Sequence, residues 1–288
     1  MNRGGHAVVR ALFATPAAAL GTILLVSILL LAAFGSTFSP YDPTEVTGVP
    51  FSRPTQEHWL GTNDIGQDIF SEILWGARVS IMIGLIAAGA AITVGTLVGV
   101  VASFSGGWLD SLLMRIADVV LTIPFLPLAV VLAAFLGPSL WNTATVIAVV
   151  IWARPARIIR SQGMTIRSLT FVEAAVALGG KKTHLLIRHI LPGVLPLALS
   201  QFILATSSSI LTEASLAFLG LGDPIQKSWG TILFYAQARG AFLSGAWPWW
   251  VLPPGLLISA TVLGFVLVGR SLEEILMPQL RQHGGNGG

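Results

Sequence analysis

The chain has 288 residues, of which 54% are hydrophobic and only 10% charged, and its mean hydropathy is +0.80. Soluble domains carry about 25% charged residues, so this is the composition of a membrane protein, and the net charge of +3 matters through its placement rather than as a signal for nucleic acid. The absence of cysteine excludes disulfides, thiol catalysis and cysteine metal sites.

Positions 11–41 contain no Asp, Glu, Lys or Arg and follow Arg3 and Arg10. The apolar stretch exceeds the roughly 7–15 residues of a secretory signal core, so it predicts an uncleaved first span over about 17–38. A loop over 39–78 follows. Its acids, among them Asp42, Glu45, Glu57, Asp64, Asp68 and Glu72, read as a solvated surface, with Asp223 joining them from a later loop. Asp64, Asp68 and Glu72 recur at four-residue spacing without a compact loop. That is a poor cation site, and the stretch predicts a solvated helix outside the membrane.

The second span is predicted over 79–103. Ala87, Ala91, Gly95 and Gly99 give it a face nearly bare of side chains, suited to close packing either with a helix of the same chain or with another subunit. The apolar run after Val119 is too long for one crossing and is cut by Gly137-Pro138, which predicts spans over 112–136 and 140–158. Pro124 and Pro127 predict a bend in the first of these. Asp118, one turn beyond Arg115, predicts an intrahelical ion pair.

A polar loop over 159–193 separates these from a span over 194–219, which carries Glu213. A charge in the hydrocarbon costs on the order of 3 kcal/mol, so Glu213 is expected to face protein or water, as a structural group or as part of a solute path. After a loop to about 248, Trp247, Trp249 and Trp250 predict a membrane interface, and Pro253-Pro254 a bent start to the last span, over 249–269. The closing Gly-rich stretch reads as a disordered tail. Six crossings place both termini on one side. Of the 16 basic residues only Arg53, Arg78, Lys227 and Arg239 fall opposite, which leaves twelve on the terminal side and predicts cytoplasmic termini.

Within the 159–193 loop, "EAAVALGGKKTHLLIRHILP" (Glu173 to Pro192) predicts two short helical pieces about a Gly179-Gly180 hinge, with Pro192 marking a change of direction. Taken by itself it could also be an interfacial amphipathic helix, held on anionic lipid by Lys181, Lys182 and Arg188. "GGKKT" is no phosphate loop, because the earlier glycine and the preceding strand are missing and Lys181 separates Gly180 from the Lys182-Thr183 step. The five histidines are scattered and no HExxH or GxSxG pattern occurs, which leaves an intramembrane hydrolase without support.

Glu173-Ala174-Ala175, Gly179 and Leu191-Pro192 together resemble the EAA signature of the permease subunits of bacterial ABC importers. "SPYDP" (39–43), "HWLGTNDIGQDIFSEILWGARVSIMIGL" (58–85), "EASLAFLGLG" (213–222) and "WPWWVLPPGLLI" (247–258) extend the likeness to the C-type subunit of the dipeptide/oligopeptide permease family. Three positions depart from that pattern. His189 stands at a usually aliphatic position, Gln67 at a common arginine, and "GRSLEE" replaces a more acidic ending.

The resemblance implies an all-α membrane protein of six transmembrane helices forming one domain over 1–288. It would carry a cytoplasmic coupling (EAA) loop and an extracytoplasmic loop between helices one and two. It further implies a bacterial cytoplasmic membrane location with membrane lipid around the spans. The expected partners are a homologous permease subunit, two ATP-binding subunits and an extracytoplasmic solute-binding protein. ATP and magnesium would be held by the ATPase subunits, so no catalysis and no cofactor are expected on this chain. Glu173, Ala174, Ala175, Gly179, Gly180, Leu191 and Pro192 would carry ATPase coupling, and Glu213 would be the candidate for the path. The solute stays open among dipeptides, longer peptides, glutathione-like compounds and metal chelates such as nickel complexes. The rival reading, an ion-coupled secondary transporter acting alone, would need buried acids or broken helices in corresponding halves. Only Glu213 offers itself.

Overall fold

A computed structural model describes residue 13 and residues 15–178 and 182–276; the side chains of Glu173, Val176, Lys182, Thr183, Ile275 and Leu276 fall outside that description, as do the tail and the Gly179-Gly180 hinge. Among the described residues the structure is helical, with two isolated β-bridges, Val46 to Gln67 and Thr62 to Asp68.

Helix α1 (Pro16–Phe34) starts where the Thr15 hydroxyl accepts from the Ala18 amide, with Pro16 in the first turn, where an N–H has no partner to lose. Helix α2 (Ile69–Ser105) is capped by Asp68, which accepts from the Ser71 amide, and it ends at Gly106, whose φ of 62° suits a residue without a side chain. At 37 residues it begins ten positions earlier than hydropathy predicts, because Ser71, Glu72 and Arg78 interrupt an otherwise apolar start in which Ser71 and Glu72 are buried.

Helices α3 (Gly107–Thr122) and α4 (Phe125–Leu136) meet at 91°, so Pro124 marks a right-angled elbow rather than a bend within one rod. Gly137 and Pro138 separate α4 from α5 (Leu140–Ile151), as expected. The first amide of α5 is capped by the Asp223 carboxylate from the other end of the chain, at 3.1 Å. Only Trp152 stands between α5 and α6 (Ala153–Arg167), which extends past the expected span end into the predicted loop.

Two short pieces, α7 (Thr170–Ala177) and α8 (Lys182–Leu185), lead through a π-turn (Leu186–Ile190) into α9 (Leu191–Leu216). Pro192 therefore sits in the first turn of α9, where its missing N–H is tolerated, and the wider turn before it replaces the expected break. Helices α10 (Trp229–Ala238), α11 (Trp247–Trp250) and α12 (Leu252–Leu276) follow. Pro253 and Pro254 fall in the first turn of α12, directly after the break at Val251 that separates it from α11. Trp250 is fully buried and Trp249 half-buried, so only Trp247 keeps the exposure expected of an interfacial anchor.

Helix α2 is the centre of the bundle, touching α1, α3, α5, α6, α9 and α10. Among the described residues four helical segments are long and apolar enough to cross a membrane: α1, α2, α9 with the π-turns at its two ends (Leu186–Ile190 and Ala217–Leu221), and α11 with α12. The bent pair α3–α4 makes a fifth if counted as one, and α5 is a shorter apolar helix. Ala87, Ala91, Gly95 and Gly99 are all buried. A Cβ on Gly95 would lie 2.9 Å from the Trp152 carbonyl, and one on Gly99 2.6 Å from the Ala156 carbonyl and 2.9 Å from the Ile159 Cβ, so this end of the stripe packs on α6 of the same chain.

A buried polar network fixes the segment before α2. Lys227 Nζ donates to Gln67 Oε1 at 2.5 Å, to the Pro43 carbonyl at 2.9 Å and to Glu72 Oε1. Asn63 Nδ2 donates to both Gln67 and Glu72, at 2.9 Å each. His58 Nδ1 lies 3.0 Å from Asp68, which also accepts from the Ser71 hydroxyl. The expectation of a solvated acidic helix is corrected here. Residues 58–67 form turns, Asp68 and Glu72 are buried, and Asp64 is half-buried against Arg239 at 3.6 Å. Buried carboxylates need such partners, and for Glu72 the charged one, Lys227, lies 155 residues away in sequence.

Two outcomes follow from this packing. Because the Gly99 neighbours are backbone and Cβ atoms, Gly99→Ala is expected to cost about 1–3 kcal/mol in SDS-titration unfolding. Gly89→Ala, whose added methyl meets only the Phe202 ring at 3.9 Å, should leave the curve unchanged. Lys227→Met strands a buried carboxylate, at about 3–5 kcal/mol. Endoproteinase Glu-C should then cut after the exposed Glu57 faster than in the parent chain, and Glu72→Gln in the same chain should slow the cut again.

Candidate functional site

The polar segment α7–α8 is seated by a few apolar side chains. Val172, Ile190 and Val194 join Ile159 and Ile166 of α6 and Ile92 and Val100 of α2 in one buried cluster. Leu185 is buried beside the π-turn. The roots of the segment are held by close backbone approach: a Cβ on Gly193 would lie 2.7 Å from Ile166 Cδ1, and one on Gly163 would collide with Ser103.

Beyond that seat the segment is exposed. Phe171, Leu178 and Ile187 present large apolar surface to solvent, Leu178 being 89% exposed. Ala174 is exposed, Ala175 half-buried, Leu191 half-buried and Pro192 exposed. Glu173 belongs to α7, with its side chain outside the description, and Gly179 and Gly180 lie outside the described residues. His189 has a definite role in the packing: its ring meets Phe171 edge-on at 5.7 Å and His184 at 6.1 Å, and so joins the two helical pieces.

Glu213 is far from this segment. It is 2% exposed, beside the hydroxyls of Ser80 in α2 and Ser228 at the cap of α10, and its Oε2 has no hydrogen-bond partner. Ser80 in turn accepts from the Trp229 amide at 3.0 Å, which ties the start of α10 to α2.

Sequence reasoning passed over a charged cleft between α3 and α6. Arg160 grips Asp110 with two hydrogen bonds, at 2.5 and 2.6 Å, and that bonding raises the guanidinium pKa above its ordinary value. Asp118 pairs across the cleft with Arg157 at 3.3 Å, not with Arg115 as its spacing predicted, because α6 brings a guanidinium over it. Arg115 has no ion-pair partner among the described residues. The only sequence signal was the run of arginines at 154, 157 and 160 at helical spacing.

Among the described residues no group of His, Asp or Glu is arranged to hold a metal ion.

Comparison with known proteins bears on the whole chain. Residues 91–282 match the family profile described as binding-protein-dependent transport system inner membrane component, and residues 5–56 match the N-terminal TM domain of oligopeptide transport permease C. A dipeptide transport system permease protein of Alkalihalophilus pseudofirmus is 38% identical over 267 residues, 92% of this chain and 86% of the relative. An oligopeptide transport system permease protein of Bacillus subtilis is 35% identical over the same coverage. A glutathione transport system permease protein of Pectobacterium atrosepticum is 36% identical over 272 residues, 92% of this chain and 87% of the relative. With two thirds of its length matched by one profile and relatives above 30% identity along nearly all of it, the chain belongs to the family of inner membrane components of binding-protein-dependent transport systems.

Proposed function

We propose that the chain is one membrane-spanning half of an ATP-driven importer for dipeptides, oligopeptides or related compounds such as glutathione. The exposed face of α7 and α8 would be the surface gripped by an ATP-hydrolysing subunit. The observation that carries this reading is the contrast within that segment: an exposed apolar face on a root with no slack.

In this reading both termini and the α7–α8 segment are cytoplasmic, following the excess of basic residues on that side, and the network around Lys227 lies outside. Six crossings result when α3–α4 counts as one span and α5 with the start of α6 as another. A homologous permease subunit completes the path, a soluble binding protein delivers the solute, and a pair of ATPase subunits holds the nucleotide and magnesium. Exposed Leu178, Phe171 and Ile187 gain from burial against such a partner, each worth about 1.5–3 kcal/mol if fully covered. Glu173 supplies a carboxylate for a basic group of the partner, and Ala174, Ala175 and Gly179 admit close contact.

Force applied to α7–α8 passes into α6 and α9 through Val172, Ile190 and the Gly193–Ile166 contact, and from α6 into α2 at Gly99 and Gly163. Tightly packed helices move as units rather than yield locally. ATP binding and hydrolysis would thus reach the spans as tilts, opening the path alternately to either side. Glu213, buried at the junction of α2, α9 and α10, acts in this scheme as a structural group near the outer end of the path. An ion-coupled carrier acting alone finds no support, because among the described residues the other buried acids, Asp68 and Glu72, are committed to His58 and Lys227, and the relatives are subunits of transport systems.

Transport by the reconstituted complex is expected to require ATP and to persist with proton and sodium ionophores; uptake by this chain alone on an ion gradient would overturn the assignment. Glu173→Lys and Gly179→Asp should insert normally yet lower solute-stimulated ATP hydrolysis to near its basal rate, read in the same proteoliposomes. Normal stimulation in both variants would remove the coupling role of the segment.

A further inference from the structure

The cleft between α3 and α6 has a volume of about 640 Å3 and is lined by three arginines, two aspartates, two serines and Met114. Its charges differ in how firmly they are held. Asp110 and Arg160 are locked in a bidentate pair with little exposure and form a fixed floor. Asp118 and Arg157 make a single contact at 3.3 Å and are 52% and 57% exposed, so this pair contributes little and opens readily. Arg115 lines the same cleft without an ion-pair partner among the described residues.

The surroundings place this cleft against water. An ion pair more than half exposed does not face hydrocarbon. The opposite face of α3 presents Trp108, Leu112, Ile116 and Val119, all exposed, as a helix does at the boundary between lipid and an aqueous cavity. The elbow beyond Asp118 leaves exposed, non-helical backbone at Ile123 and Pro124, which within a membrane is tolerated only where it is covered by protein or lines a water-filled space.

We propose that this cleft is a solute site on the cytoplasmic part of the path, and that it recognises the free termini of a small zwitterionic peptide. The carboxylate takes Arg115 and Arg157, and the ammonium takes Asp118, released as its loose pair opens. Met114 and the hydroxyls of Ser111 and Ser161 complete the lining. The binding mode exchanges one ion pair for two, with no net change in the charge of the cleft, since the ligand brings one charge of each sign. This inference rests on the peptide-importer reading above, whose relatives handle dipeptides, oligopeptides and glutathione, solutes that all carry an ammonium and a carboxylate.

The test uses the intact complex purified in detergent without its binding protein, with dialanine titrated calorimetrically and ATP hydrolysis by the same preparation recorded in parallel. Saturable binding is expected, weakened at least tenfold by Arg115→Ala and by Asp118→Asn, with Arg115→Lys recovering part of the loss. Dialanine amide should lose affinity in the parent but show no further loss in Arg115→Ala; N-acetyl-dialanine should behave likewise toward Asp118→Asn. ATP hydrolysis without dialanine binding, or binding unchanged by both substitutions, overturns the cleft and leaves the importer reading standing. A preparation with no ATPase partner overturns the importer reading instead. Inorganic phosphate displacing dialanine at equal concentration would show a general anion site, such as one for a lipid headgroup, and would also overturn the proposal.

Discussion

The fold depends on how closely α2 approaches α6. Lipid tails are as apolar as leucine, so helices in a bilayer gain nothing from escaping water and must associate through van der Waals contact and hydrogen bonds. Gly95, Gly99 and Gly163 supply that contact by letting backbone meet backbone and Cβ. Once α2 and α6 are joined, α9 packs across both through the cluster around Ile92, Ile159 and Val194, and the α7–α8 segment inherits a fixed base. Similar glycine contacts recur between α1 and α12, where a Cβ on Gly21 would lie 2.5 Å from that of Leu267.

Much of this was legible in the residues because the bilayer imposes length and polarity. The charge-free runs marked the long apolar helices α1, α2 and α12, Gly137-Pro138 marked a boundary between α4 and α5, and Gly95 and Gly99 marked where α2 meets α6. The resemblance drawn from Glu173 to Pro192 and from the longer quoted stretches agrees with the profile and relatives that match the chain. What failed to show was anything set by contacts distant in sequence. Glu72 read as a surface acid because its partner, Lys227, reaches it only through folding. Asp118 turned from Arg115 to Arg157 for the same reason. Pro124 announced a disturbance, but the 91° angle follows from the different neighbours of α3 and α4: α3 lies on α2 and α6, and α4 on α5.

The two polar regions are joined by one rod. Helix α2 runs unbroken for 37 residues, about 55 Å at 1.5 Å per residue, from the Lys227 network to the base of the α7–α8 segment. Gln67 has a place in this arrangement. Its amide oxygen accepts from Lys227 while its nitrogen donates to the Thr44 carbonyl at 2.8 Å. An arginine there would have no acceptor to offer the lysine and would set two cations side by side. At this position an amide, not a guanidinium, suits the lysine opposite it.

The continuity of α2 also limits how the gene can vary. Each residue added to a helix turns everything beyond it by about 100°, so a single codon gained between Arg78 and Gly95 would swing the small-residue stripe off α6 and present bulky side chains in its place. Changes of length are thus confined to the connecting segments, while the rod itself can drift only by substitution.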